Sequence, residues 1–243
     1  MLSINILFPV YNEQNRIEIG VINTVKYLDT ILHGKYQVTI VDNGSNDQTG
    51  YLGKQLSNSY SQVQYLFIAE KGVGAAFRAG VLRNTSDIVG YMDIDLSTDI
   101  HHLHDVIDIF QKNSEVDIVN GSRLSALSVT KGRKWYRKLT SKGLASLMKS
   151  YLGLRLDDPI CGFKFFRKDK IALLLSLAST GNGWFYIIEI LLRAQANSLF
   201  IVEIPVRWTD DHDSSVKIFR LITYYILESI RMKRRLKQNN IVR

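Results

Sequence analysis

Two aspartates one residue apart, Asp93-Ile94-Asp95, follow directly on the apolar run 88–92. Side chains two positions apart on an extended chain point the same way, so both carboxylates can face one aqueous cleft. Two hard oxygen donors of this kind suit Mg2+ or Mn2+, with diphosphate oxygens completing the shell. The competing use of the same residues is a helix cap, in which Asp95, Ser97 or Thr98 accepts from the amides of the next segment. Three more polar clusters also follow apolar runs: Pro9-Val10-Tyr11-Asn12-Glu13, Asp42-Asn43-Gly44-Ser45-Asn46-Asp47 and Lys71-Gly72-Val73-Gly74-Ala75. Each alone reads as a turn or cap, whereas four at one sheet edge can line a single crevice.

The elements that must carry these clusters are short β-rich runs over 4–10, 36–42, 63–69, 88–93 and 116–120, with amphipathic segments between them. That alternation predicts an α/β fold with a mostly parallel central sheet, and the near-continuous apolar character of the runs predicts a sheet covered on both faces. Ligands of such sheets bind beyond the carboxyl ends of the strands, where the polar clusters stand. After residue 120 a basic loop leads to a helix over 135–152, then to strands over 163–167 and 200–206. A last amphipathic helix opens near an Asp213 or Ser214 cap. On it Ile218, Leu221, Ile222, Tyr225 and Ile226 can share a face, as in a helix lying in a membrane interface or one packed on a core. The division expected is a catalytic domain over 1–212 and a C-terminal helix with a basic tail over 213–243.

Composition narrows the setting. The net charge of +8 is concentrated in two acid-free zones, nine basic residues between 118 and 155 and six between 231 and 243, so an acidic body carries two cationic regions. Such regions predict anionic partners: phosphates, lipid headgroups or nucleic acid. Cys161 is the only cysteine, which excludes an intrachain disulfide and a cysteine-rich zinc module. The first residues read as a strand rather than a signal peptide, and the most apolar stretches fall short of the roughly 20 residues that cross a bilayer. The expected location is cytoplasmic and peripheral, on the cytoplasmic face of a membrane. His101, His102 and His104 lack the spacing of a zinc site and read as surface residues.

With these clusters assembled, the chain resembles the family 2 glycosyltransferases of the GT-A fold, in particular the dolichyl-phosphate mannose and glucose synthases and their bacterial polyprenyl-phosphate relatives. Pro9-x-Tyr11-Asn12-Glu13 and Val41-Asp42-Asn43-Gly44-Ser45-x-Asp47-x-Thr49 are similar to the two nucleotide-binding motifs, with Asn43 where the family usually has Asp. Lys71-Gly72-Val73-Gly74 is similar to the glycine-rich stretch, with Val73 in place of the usual Lys. Phe77 at the third glycine position disfavours a dinucleotide oxidoreductase. The resemblance implies a single GT-A domain with a Rossmann-like nucleotide-binding half. Pro9, Tyr11, Glu13, Asp42, Lys71, Gly72 and Asp93 would bind the nucleotide, and Asp93 and Asp95 the metal. Gly121-Ser122-Arg123, Arg137, Ser141 and Asp158-Pro159-x-Cys161-Gly162-Phe163-Lys164 match the region that holds an acceptor phosphate, so Arg123, Arg137 and Ser141 are its expected ligands. Asp95, Arg123 and Arg137 are the expected catalytic residues. Glu189 resembles a downstream acidic motif in which Ile187 replaces an Asp, and 203–208 and 214–217 also correspond.

A phosphate acceptor is anionic at neutral pH and needs only positioning, whereas a sugar hydroxyl needs a base. The acid-free, arginine-bearing zone therefore favours a phosphate acceptor; together with it, the resemblance implies transfer of a hexose from a UDP- or GDP-linked donor to a polyprenyl or dolichyl phosphate, and a single displacement would invert the anomeric centre. The expected partners are that donor, that lipid, and a membrane surface or membrane protein, with no nucleic acid. Three rivals stand beside it: a glycosyltransferase with a saccharide hydroxyl acceptor, a nucleotidyltransferase, and a non-catalytic basic protein binding membranes or nucleic acid. The last leaves the acids at the strand ends unexplained.

Overall fold

The computed structural model describes residues 2–132, 134–210 and 218–238. Arg133, the cap at Asp213 or Ser214, the motif at 214–217, the side chains of Ile218 and Lys237, and Arg243 lie outside the described residues.

A seven-stranded sheet runs in the order β3(Val63–Phe67), β2(Tyr36–Asp42), β1(Ile4–Val10), β4(Ile88–Met92), β7(Phe163–Arg167), β5(Ile118–Ser122), β8(Ile201–Pro205). Neighbours pair in parallel except around β7, which is antiparallel to both β4 and β5. The side-chain period of two divides each strand between two cores. Ile4, Ile6, Phe8 and Val10 pack against α1(Ile17–Leu32) and α4(His102–Lys112), while Leu7, Val89, Tyr91 and Phe166 face the opposite layer. That second layer holds α3(Val73–Leu82), α5(Trp135–Leu152), α6(Lys168–Leu177), α7(Phe185–Ala196) and α8(Ile218–Gln238). Burial on both faces accounts for the unbroken apolar runs that the strands show in sequence.

Because β7 is reversed, its amino end lies at the same sheet edge as the carboxyl ends of β1, β2, β4 and β5. The loop before β7, carrying Asp158 and Gly162, therefore arrives beside the clusters that follow the other strands. Beyond this edge β6(Val129–Lys131) pairs with β9(Arg207–Thr209), and Thr98 bridges to Trp208.

The helix α8 buries Tyr225, Ser229, Met232 and Leu236, a stripe at helical spacing, in the second core. Ile226 instead points outward, 41% exposed, so the face expected from the sequence divides between core and surface. Lys233 ties α8 to α5 by donating to the Tyr151 carbonyl at 2.8 Å. Among the described residues no helix is long and apolar enough to cross a membrane.

Candidate active site

The first two polar clusters interlock through side chains that reach across strands. Asn12 N–H donates to Ser45 Oγ at 2.9 Å, Asn46 N–H to Asn12 Oδ1 at 2.9 Å and Glu13 N–H to Thr49 Oγ1 at 2.8 Å. Asp42, only 1% exposed, accepts from Ser45 N–H and, at 2.7 Å, from the Tyr65 hydroxyl. Asn43 shows what an amide does where the family usually has a carboxylate. It donates to the Val10 carbonyl at 2.7 Å and accepts from Gly72 N–H at 3.0 Å, joining β1 to the third cluster in a way that needs both a donor and an acceptor. Lys71 closes the group by donating to the Tyr11 hydroxyl at 3.0 Å, above the ring. Tyr11, Glu13, Asp42, Lys71 and Gly72 thus lie together where β1 and β2 end, with Pro9 one residue before the end of β1. Gly72 has φ +125°, and a Cβ there would lie 2.1 Å from the Asn182 carbonyl oxygen, so the position requires glycine. The same carbonyl accepts from Gly74 N–H at 2.8 Å, which closes the start of α3 with protein.

Asp93 and Asp95 stand at the middle of the edge. The exposed Asp95 accepts Ser97 N–H at 2.9 Å, and Leu96 turns the chain with φ 52°. The Asp93 carboxylate accepts no hydrogen bond from the described residues. Protein surrounds it closely: burial, reinforced by Asp95 and Glu13 against Arg123 and Lys164, pushes its carboxyl up to about 7. A part-buried carboxylate without a hydrogen-bond donor, beside a second carboxylate, is a donor set that a divalent cation would satisfy, so the residues fit Mg2+ or Mn2+, with the ligand supplying further oxygens; no cluster of three or more protein ligands occurs among the described residues.

On the far side, Arg123 leaves β5 and is gripped by Asp158. Nε donates at 2.7 Å and Nη2 at 2.9 Å to the two carboxylate oxygens, and Arg123 N–H donates to Oδ2 at 2.9 Å. The guanidinium lies over the Trp208 ring, 4.8 Å from its centre. Asp158 is buried and Arg123 mostly so, and against the cost of burial the pairing holds Asp158 below the usual carboxylate range. Arg137 pairs with Asp210 at 3.1 Å, and Ser141 sits one turn along the same helix face. Lys134, Lys138 and Lys142 are exposed, and Lys149 pairs with Asp157. The zone that is acid-free in sequence is therefore supplied with acids from elsewhere in the chain.

The structure gives roles to four residues to which sequence pattern assigned none, although three of them stand in matched segments. Lys164, wholly buried on β7, donates to the Cys161 carbonyl and stands within electrostatic reach of Asp93. Glu203 holds the loop that presents Asp158, and Trp208 carries Arg123. His102 corrects the expectation of a surface residue: it is 5% exposed, with Nε2 accepting Arg207 N–H at 2.9 Å and Nδ1 2.8 Å from Asp105. An Nε2 that accepts leaves the proton on Nδ1, so this imidazole links α4 to β9.

Sheet order, the reversed strand and the paired aspartates at its edge are those of the GT-A fold. Solved structures of glucosyl-3-phosphoglycerate synthase from Mycobacterium tuberculosis share it. The complex with Mn2+ and UDP-glucose gives a TM-score of 0.68 at 17% identity over 94% of this chain and 78% of that one; the complex with Mn2+, UDP and glucosyl-3-phosphoglycerate gives 0.66 at 16% identity over 94% and 80%. The family described as Glycosyl transferase family 2 matches residues 5–174, and the chain belongs to it. Among its relatives, the glycosyltransferase AglD of Haloferax volcanii is 28% identical over 90% of this chain, which spans 35% of that protein's length. A dolichyl-phosphate beta-glucosyltransferase of Dictyostelium discoideum is 27% identical over 90% of this chain and 70% of its own length.

Proposed function

We propose that this protein transfers a hexose from a UDP- or GDP-linked donor to a polyprenyl or dolichyl phosphate, inverting the anomeric centre. The observation that carries the reading is the commitment of acids on the acceptor side. Asp158 is paired with Arg123, Asp210 with Arg137, Glu189 with Arg193 and Ser179, and Glu203 with the backbone of residues 157 and 158. Acids so engaged are poor general bases, which suits an acceptor that arrives ionised and is held by cations. The named relatives that act on dolichyl phosphate support the same acceptor.

Pro9, Tyr11, Glu13, Asp42, Lys71 and Gly72 would hold the nucleotide. Asp93 and Asp95 would hold Mg2+ or Mn2+, which when bound neutralises charge on a departing diphosphate. Arg123, Arg137 and Ser141 would orient the acceptor phosphate, Arg123 through the outer edge of the guanidinium that Asp158 leaves open.

Peripheral attachment at the cytoplasmic face of a membrane is supported by the start of α5, where Trp135 (76% exposed) and Leu139 (63%) stand among Lys134, Lys138 and Lys142. Ile226 and Leu227 give α8 an apolar outer surface too, in keeping with a catalytic unit over 1–212 and an interfacial segment over 213–243.

The test is incubation with labelled UDP- and GDP-hexoses, a short polyprenyl phosphate and Mn2+ or Mg2+. Label should enter the lipid and be lost in Asp95→Asn. Label found only in added saccharide would transfer the assignment to a hydroxyl acceptor.

A further inference from the structure

Arg123 does not have all five of its donors free for a ligand. Asp158 takes the Nε hydrogen and one of the two on Nη2, the Trp208 ring covers one face, and Nη1 makes no hydrogen bond to any described residue. The clamp is itself held from behind. Glu203, opposite Asn120 in the β5–β8 pairing, accepts from Asp157 N–H at 2.6 Å, from Asp158 N–H at 3.1 Å and from Asn120 Nδ2 at 2.9 Å. Asn120 Nδ2 also donates to the Asp158 carbonyl at 3.1 Å. Two adjacent strands thus lock the peptide of Asp158, and Asp158 locks the guanidinium.

Resting on the function proposed above, we infer that Asp158, backed by Glu203, is the positioning residue for the acceptor: it turns Arg123 so that its outer Nη1/Nη2 edge is left to meet phosphate oxygens. Asp158 touches no substrate. A buried pair that served stability alone would need neither the third bond from Arg123 N–H nor the two-strand brace, because a bidentate contact already satisfies both charges. Over-determination of this kind is what holding a ligand-facing group to sub-ångström tolerance requires.

Asp158→Ala leaves a buried cation and is a poor test, since it can unfold the chain. Asp158→Glu keeps the pair and lengthens its reach by one methylene. The KM for a short polyprenyl phosphate should rise about 10- to 100-fold, while the KM for the nucleotide sugar and the affinity for UDP with Mn2+ change less than about twofold. Glu203→Gln, which alters the brace without touching Arg123, should move the same constant in the same direction. In Arg123→Lys the acceptor KM should already be high, and adding Asp158→Glu should raise it no further. Donor and acceptor constants moving together, or an acceptor KM that Asp158→Glu leaves unchanged in an enzyme that does label the lipid, would overturn the inference. A wild-type protein that labels no polyprenyl phosphate overturns the functional reading instead, and the acceptor assignment with it.

Discussion

Gly162 has no side chain where Asp93 has its carboxylate: a Cβ on Gly162 would lie 2.0 Å from Asp93 Oδ2 and 2.5 Å from Cγ. The loop entering β7 and the end of β4 meet without a spare atom between them. Since β7 is antiparallel to β4, Phe163 is the register partner of Met92, which brings the preceding glycine to the following aspartate.

Gly162→Ala is therefore expected to displace the Asp93 carboxylate rather than unfold the protein. Overpacking of this kind costs about 1–3 kcal/mol. Transfer should fall on the order of 100-fold, because a shift near 1 Å at a reacting group has that effect. Melting curves with and without Mn2+ and UDP, beside kcat/KM, check it; an alanine variant of full activity would contradict it.

Asp93 also makes a pH prediction. Burial, then the neighbouring Asp95, push its carboxyl up to about 7 from an ordinary 3.8, so the folded state binds more protons across that interval. Its contribution to stability is fully present below pH 3.8, declines as pH rises towards 7, and is flat above. In chelator, the difference in melting temperature between wild type and Asp93→Asn should follow that window. Divalent cations should stabilise the wild type more at pH 8 than at pH 6, as protons cease to compete.

Trp135 and Leu139 are exposed on α5, so their removal leaves the core intact. Changing both to glutamate should lower binding to vesicles containing anionic lipid at least about ten-fold, from lost apolar burial and added repulsion. Activity towards a short acceptor in solution should stay near wild type. Vesicle co-sedimentation beside the soluble assay reads both effects.

His102→Phe should destabilise the protein by about 1–3 kcal/mol, because the Arg207 N–H loses its acceptor in a buried setting. His102→Gln, which can still accept, should recover part of that loss. Denaturant melts of the three proteins give the comparison, and equal midpoints would refute the role given to Nε2.

Much of this was legible along the chain because it is local. Strands β1, β2 and β7 and the helix α5 begin and end where their apolar periodicity and flanking turn residues predict. The run expected over 63–69 stops at Phe67 and that over 116–120 shifts to 118–122, since pairing with neighbours and not propensity sets a strand's ends. The polar clusters after strands were findable by the rule that ligands sit at carboxyl ends. Asp158 and Gly162 evade that rule because they precede a strand, and only its reversal carries them to the site. Lys164 evades it too: nothing in a Phe-Lys-Phe run says that the lysine faces a packed layer.

The order of residues by itself determined the family, the doubly covered α/β sheet and the clustering of acids at its edge, all of which follow from short-range pattern and composition. Which charges meet was decided only by the tertiary structure. The basic stretch 118–155 contains no acid, yet Arg123, Arg137 and Lys149 each find one, from residues 158, 210 and 157. Electrostatic pairing acts over a few ångströms of space and is blind to separation along the chain, so it appears only once the strands have been placed side by side.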